Sequence, residues 1–210
     1  MRLLAVDTAL GACSAAVLDG GRVLAHRFVL MDRGHAEALA PMVEEAMAEA
    51  AVAFAQLDRL AVTTGPGTFT GQRVGLAFMR GLRVALGKPL NGVTTLAAMA
   101  AQALAETGLA AGAALHDAKR GEVYLEIFGS IGPRVLAFDD AIAALPAGPL
   151  VLAGTAAPAA AERLPQATLS AVCQPDALWV ARLASGMPPA TGAPAPLYLR
   201  APDAKLPGQR

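Results

Sequence analysis

Three observations predict an α/β protein. The first stretch, to about residue 30, reads as three short apolar strands in succession. From there to about residue 106, helical periodicity alternates with short strands. A second strand pair, with residues alternating in character, follows at 113–128. Repeats of two residues and of three to four residues are the signatures of half-buried strands and of amphipathic helices. The chain has 210 residues, of which 55% are hydrophobic but only 4% aromatic, so the core is built from aliphatic and small side chains. Seventeen basic residues balance seventeen acidic ones. No overall field steers the chain towards polyanions, although a local basic patch remains open.

The elements follow in order. Residues 2–6 form an apolar strand ending at Asp7, and residues 12–18 form a second. Asp19-Gly20-Gly21 provides a tight turn into a third strand, Arg22 to Leu30. The first strand is the most apolar of the three and is expected at the sheet's centre. Leu39, Met42, Val43, Ala46, Met47 and Ala50 recur at helical spacing, so a helix is expected from about His35 to Val52. Glu37, Glu44, Glu45 and Glu49 decorate its other side, and Pro41 either sits in a later first turn or bends the helix. A short strand, Leu60 to Thr63, leads into Gly65-Pro66-Gly67-Thr68-Phe69-Thr70-Gly71. Thr70 is expected to cap a helix from about Gln72 to Leu86 that stops at Gly87. Leu90 to Val93 is a strand or connection, and Thr94 or Thr95 starts an alanine-rich helix that Gly108 ends. Val123, Leu125 and Ile127 alternate with Tyr124, Glu126 and Phe128, which predicts a hairpin strand with one apolar face. Val135 to Phe138 adds a further strand. Beyond residue 145, eleven of the fifteen prolines crowd into a stretch with only eight charges, so small elements joined irregularly are expected. Leu150 to Ala153 and Asp176 to Leu183 keep strand and helix patterns there, and Pro196-Leu197-Tyr198-Leu199-Arg200 returns to the fold.

Several candidate sites are weak as chemistry. The glycine loop could hold an anion on its amides, but it is neither GxxxxGK[ST] nor GxGxxG, and a packing turn is the favoured reading. Asp7 and Thr8 end the first strand, where a carboxylate could orient a hydrated metal. No second carboxylate lies nearby in the motif, and Asp7 could instead accept local backbone hydrogen bonds. His26, His35 and His116 make no metal-binding set, and Ser14 and Cys13 have no activating partner in sequence. Cys13 and Cys173 form no CxxC pair, which fits a reducing cytoplasm. No apolar run reaches about 18 residues, and no signal-peptide pattern is convincing. Arg73, Arg80 and Arg83 share one sector of their helix, without an aromatic platform beside them, so a solvated face or protein interface is expected. Ala77, Gly81 and Ala85 permit close helix approach, in an interface or in an ordinary core.

Together these residues carry a resemblance. Leu4-Ala5-Val6-Asp7-Thr8-Ala9, Ala12-Cys13-Ser14, His35-Ala36-Glu37 and Gly65-Pro66-Gly67-Thr68-Phe69-Thr70-Gly71-Gln72-Arg73-Val74-Gly75 resemble the bacterial TsaB family, also called YeaZ. Gly92-Val93-Thr94-Thr95-Leu96, Asp117-Ala118-Lys119-Arg120-Gly121-Glu122-Val123-Tyr124 and Pro196-Leu197-Tyr198-Leu199-Arg200 extend the likeness, which thins from about 130 to 195. The resemblance implies an α/β, actin-like ATPase fold of the ASKHA, ribonuclease H-like class. It would have two lobes: residues 1–108 with partner-binding helices, a reduced lobe at 109–200, and a flexible tail at 201–210.

The resemblance also implies a non-catalytic scaffold or activating subunit. Such a subunit binds the TsaD transferase and supports N6-threonylcarbamoyladenosine formation at position 37 of ANN-decoding tRNAs. The implied partners are a TsaD-like transferase, a TsaE-like ATPase, a second copy of the chain, and tRNA through the assembled complex, with no membrane. No cofactor and no metal is implied. The expected interface residues are His35, Glu37, Leu39, Met42, Arg73, Phe78, Arg80 and Leu82. Asp7, Thr8, Gly65, Gly67, Thr68 and Gly71 read as a vestigial phosphate loop. The alternative is a nucleotide-dependent kinase-like enzyme of the same superfamily.

Overall fold

The computed structural model describes residues 1–200, so the tail expected at 201–210 lies outside the described residues. β1 (Arg2–Asp7), β2 (Ala12–Asp19) and β3 (Arg22–Leu30) form an antiparallel meander. α1 (His35–Glu49), β4 (Arg59–Gly65), α2 (Phe69–Leu86), β5 (Leu90–Thr94) and α3 (Thr95–Thr107) follow. The first sheet has the order β3-β2-β1-β4-β5, with β4 parallel to both β1 and β5. Its central strand is β1, whose Leu3, Leu4, Ala5 and Val6 have no solvent exposure.

The second half repeats this plan. β6 (Gly112–Asp117), β7 (Glu122–Ile127) and β8 (Ile131–Ala137) form a meander, and α4 (Phe138–Ala144), β9 (Leu150–Ala153), α5 (Ala157–Arg163), β10 (Ala167–Leu169) and α6 (Ala177–Ser185) complete it. The sheet order β8-β7-β6-β9-β10 is that of the first sheet, strand for strand. What shrinks is the helical cover: α4 and α5 have seven residues each, against fifteen and eighteen in α1 and α2. The strand expected at 135–138 ends at Ala137, and Phe138 opens α4 instead.

The halves exchange their last helices. α1 and α2 cover one face of the first sheet, packing Leu39, Val43, Met47, Leu76 and Met79 against Leu4, Val6, Val17 and Val62. The opposite face, carrying Leu3, Ala5, Ala16 and Leu18, is covered by α6 through Ala177, Val180, Ala181 and Ala184. α3 in turn places Leu96, Met99, Ala100 and Ala103 against Ala114, Val151 and Ala153 of the second sheet. Residues 177–185, grouped by sequence with the second lobe, therefore complete the first lobe's core. Burial of small side chains lets these helices lie close to the sheets, which suits a chain poor in aromatics.

Local chemistry sets the helix ends. α2 begins at Phe69, because Thr68 accepts the Gly71 N–H at 3.0 Å. The expected cap, Thr70, lies inside the first turn. Thr94 caps α3 by accepting from the Ala97 N–H, and Gly87 and Gly108 end α2 and α3 in the left-handed conformation. α1 ends at Glu49 and runs through Pro41, whose missing N–H falls on the exposed side of the helix. Among the described residues no helix is long and apolar enough to cross a membrane.

Candidate functional site

The corner where β1 meets the glycine loop is closed by its own hydrogen bonds. The Thr8 hydroxyl donates to the Gly71 carbonyl at 2.7 Å and accepts from the Gly75 N–H at 2.9 Å. The Thr68 N–H donates to the Ala9 carbonyl, and the Gln72 amide donates to the Gly67 carbonyl. The Gly65–Pro66 peptide is cis, and Gly65 has φ 107. Gly67 and Gly71 lie so close to the backbone of Thr8 and Ala9 that an added Cβ at either would come under 3.0 Å from a carbonyl oxygen. Thr68, Gly71 and Gly75 thus turn their amides inward, onto side chains and carbonyls of the same corner.

Asp7 lies beneath this corner with no exposed surface. Its Oδ1 accepts from the Thr63 hydroxyl at 2.5 Å and from the Ala9 N–H at 3.2 Å, while its Oδ2 is buried without a partner. Burial drives its carboxyl up to about 7, against the opposing effect of the Thr63 hydrogen bond. A carboxyl that is sealed and half-neutral near pH 7 is a poor ligand for a hydrated divalent cation. Among the described residues no three His, Cys, Asp or Glu side chains gather to hold a metal. The residues of this corner therefore do not fit a metal–nucleotide group.

The second sheet carries the counterpart of Asp7. Asp117 ends β6 as Asp7 ends β1, but it is partly exposed and paired with the Lys119 ammonium at 2.8 Å. That pairing and the Lys119 N–H hold its carboxyl below the usual carboxylate range. A cleft of about 510 Å³ separates the two corners, lined by Leu10, Asp32, Thr68, His116, Lys119 and Thr155 among others. Burial lowers the His116 imidazole to about 4, so it stays neutral. Across the lobes, the Thr94 hydroxyl bonds Glu126 at 2.5 Å, and burial raises that carboxyl above its ordinary value.

The helical face is a mixture of buried and open positions. Leu39 and Met42 are core residues with 1% and 8% exposure. Phe78 and Leu82 are half-buried against the same core. His35 Nε2 is 3.0 Å from the Leu10 carbonyl and ties the start of α1 to the β1–β2 turn. Glu37 and Arg73 are exposed. The open surface of α2 is instead made by Arg73, Ala77, Gly81, Val84 and Ala85, with Val84 79% exposed.

The proline-rich end is held by Arg59, Arg80 and Arg83 of the first lobe. Arg59 donates to the Ala184 and Met187 carbonyls, and Asn91 donates to the Pro188 carbonyl. Arg83 reaches Thr191 O at 3.4 Å, Arg80 grips Pro194 O, and the Leu197 N–H donates to the Thr64 carbonyl. Arg200 then bonds the Ala118 carbonyl and pairs with Glu122 on the second lobe's hairpin. Residues 186–200 form a strap from the first lobe to the second. Arg80 and Arg83, expected on a solvated face or an interface, face this strap. A proline-rich run is stiff and leaves many carbonyls unpaired, and guanidinium groups are suited to collect them. Sequence reading missed this because the donors and acceptors lie about 100 residues apart (Arg80 and Pro194 are separated by 114). Removing the last anchor, with Arg200→Ala, is expected to speed hydrogen–deuterium exchange in residues 118–122 and 194–200. The melting temperature should drop by about 3–6 °C, the equivalent of about 1.5 kcal/mol, the low end for a charged hydrogen bond, in a chain of this size.

One pairing contradicts a sequence expectation. Phe69 and Tyr198, 57% and 46% exposed, stack with ring centroids 6.0 Å apart and an interplanar angle of 25°. Arg73 lies 3.5 Å from the Phe69 ring centroid and donates to the Tyr198 hydroxyl at 2.9 Å. An aromatic platform does accompany Arg73. Phe69 sits beside it in sequence, but Tyr198 arrives only on the strap.

Comparison with known proteins agrees with this geometry. A family model described as TsaD, tRNA N6-adenosine threonylcarbamoyltransferase, matches residues 29–171. The Escherichia coli K12 protein named tRNA threonylcarbamoyladenosine biosynthesis protein TsaB is 40% identical over 59% of this chain and 53% of its own length. The matched region thus spans about half of that curated relative. The solved structure of YeaZ from Pseudomonas aeruginosa is 35% identical and superposes with a TM-score of 0.80, over 94% of this chain and 99% of that one. Component A of (R)-2-hydroxyglutaryl-CoA dehydratase from Acidaminococcus fermentans shares the fold alone, at 11% identity and a TM-score of 0.54 over 86% of this chain and 96% of that one. The duplicated sheet order and these superpositions define an actin-like, two-lobed α/β protein of the ASKHA type. Within that class, the chain belongs to the TsaB (YeaZ) family.

Proposed function

We propose that this chain is a non-catalytic subunit of the machinery that makes N6-threonylcarbamoyladenosine in tRNA, and that it works by docking on a TsaD-type transferase. The observation that carries the reading is the sealed corner at Asp7, Thr8, Gly71 and Gly75. Groups that would meet phosphate and metal are bonded to one another. Asp7, Thr8, Gly65, Gly67, Thr68 and Gly71 then act as a rigid support for the start of α2. The docking face would be formed by α1 and α2, which expose the acidic Glu37, Glu44 and Glu45 and the small residues Ala77, Gly81 and Ala85 respectively. Small residues allow backbones to approach closely and a partner helix to bury its apolar side. A TsaE-type ATPase and tRNA would join the assembled pair, and a second copy of this chain could use the same face when the partner is absent.

The test is co-purification with the cognate TsaD-type protein, followed by tRNA modification with and without this chain. The double substitution Ala77→Glu and Val84→Glu places charge on exposed positions, so the melting temperature is expected to stay within about 2 °C while partner affinity drops at least about tenfold. Phe78 and Leu82 are unsuitable for this purpose because their half-buried side chains also hold the core. Full affinity in the folded double variant would move the docking face elsewhere. Threonylcarbamoyl transfer by the isolated chain would end the non-catalytic reading.

A further inference from the structure

We propose that Phe69, Arg73 and Tyr198 form a stacking site for an unpaired nucleobase of the RNA substrate, an inference that rests on the tRNA-modification reading above. Aromatic faces are scarce in this protein, which has six phenylalanines, two tyrosines and one tryptophan. Two of these nine nevertheless stand together on the surface, 57% and 46% exposed. They come from distant parts of the chain, one from the first turn of α2 and one from the strap. The Arg73 guanidinium lies over Phe69 and holds Tyr198 by its hydroxyl, so both rings are fixed in orientation before any ligand arrives. The strap itself is anchored on both sides of Tyr198, by Leu197 N–H on Thr64 O and by Arg200 on Ala118 O.

The chemistry of this cluster matches a nucleotide. Unpaired bases stack on aromatic rings and on guanidinium planes, and the cation adds attraction for the adjoining phosphate. A protein anchor of the same residue types would be expected inside an apolar rim that excludes water. Thr70, next to Phe69, is an exposed hydroxyl side chain, and it suits ribose and phosphate oxygens. The chain's zero net charge means that RNA would be met here by stacking and one local cation, within an assembly that provides the remaining phosphate contacts.

The experiment titrates a fluorescently labelled anticodon stem-loop of an ANN-decoding tRNA with the assembled complex, read by anisotropy at fixed salt. Phe69→Leu keeps apolar bulk but removes the π face, Phe69→Trp keeps the face, and Tyr198→Ala removes the second ring. Affinity for the stem-loop is expected to decline about tenfold in Phe69→Leu and in Tyr198→Ala, and to be retained in Phe69→Trp. Capture of the protein partner should be unchanged in all three. Equal RNA affinity in wild type and Phe69→Leu would overturn the proposal. So would weakened partner capture with RNA affinity of the assembled complex intact, which would make the cluster a protein contact. A wild-type complex that fails to modify tRNA would sink the pathway reading, whereas a modifying complex indifferent to all three substitutions would sink the stacking site alone.

Discussion

Gly71→Ala is expected to destabilise the protein by about 3 kcal/mol, lowering the melting temperature by about 6–12 °C. The added methyl would stand 2.6 Å from the Thr68 hydroxyl and closer still to the Thr8 carbonyl oxygen. The hydroxyl belongs to the helix cap and the carbonyl to the backbone just past the end of β1, so neither yields as a flexible side-chain tip would. Shifting Thr8 would also break its paired bonds to Gly71 O and Gly75 N–H, which join β1 to α2. Calorimetric melting of the purified variant measures the effect. A midpoint within about 2 °C of the parent would mean that the corner relaxes easily and that the glycine loop is not the rigid support proposed here.

The second large effect concerns Asp7 and has a definite sign. Its ordinary value of 3.8 is raised to about 7 in the fold by burial, with a smaller contribution from the negative charge of Asp176. A carboxyl with a raised folded pKa keeps its proton in the native state after the unfolded chain has lost it. Stability from this group is therefore full below pH 3.8 and declines as pH rises towards about 7, flattening above it. Over that window the loss is on the order of 4 kcal/mol, at 1.36 kcal/mol for each pH unit of difference. Asp7→Asn removes the titration while keeping an oxygen that can accept from Thr63. The variant should match the parent below about pH 4 and exceed it by several kcal/mol at pH 8. Urea denaturation at both pH values measures the difference, and parallel stability curves for the two proteins would refute the sealed, protonated state of Asp7.

Both effects arise at one corner, and they bear on the proposed docking role. An actin-like cleft that handled a metal–nucleotide complex would need an accessible carboxylate and free loop amides. Here the carboxyl faces protein on every side, and the Thr68 and Gly71 amides are bonded within the corner. The same closure fixes the start of α2, so the exposed positions at Ala77, Gly81 and Ala85 are presented from a firm base.

Much of this architecture was legible in the residues. Alternation placed β7 and with it the hairpin to β6, Gly87 and Gly108 marked two helix ends, and the unbroken apolar run at 3–6 placed β1 at the centre. These are local signals, in which a residue's neighbours in sequence are also its neighbours in space. The cap of α2 was misplaced by two residues, because Thr68 and Thr70 are equally able to cap and only the loop's path onto Ala9 selects Thr68. Helical spacing identifies one apolar stripe but not the sheet it meets, and the stripe of α1 that carries Leu39 and Met42 packs on the first sheet.

By itself, the sequence determined the strand–helix order as far as β7, the glycine corner and the family. Each is written in spacings of a few residues, where backbone conformation and hydrophobic period are decided. The tertiary structure alone decided three other features. α3 and α6 cross to cover each other's sheets, Asp7 loses its water, and the strap brings Tyr198 to Phe69 and Arg73. All three depend on contacts between residues far apart in the chain, where burial and long-range hydrogen bonds, rather than local preference, select one arrangement.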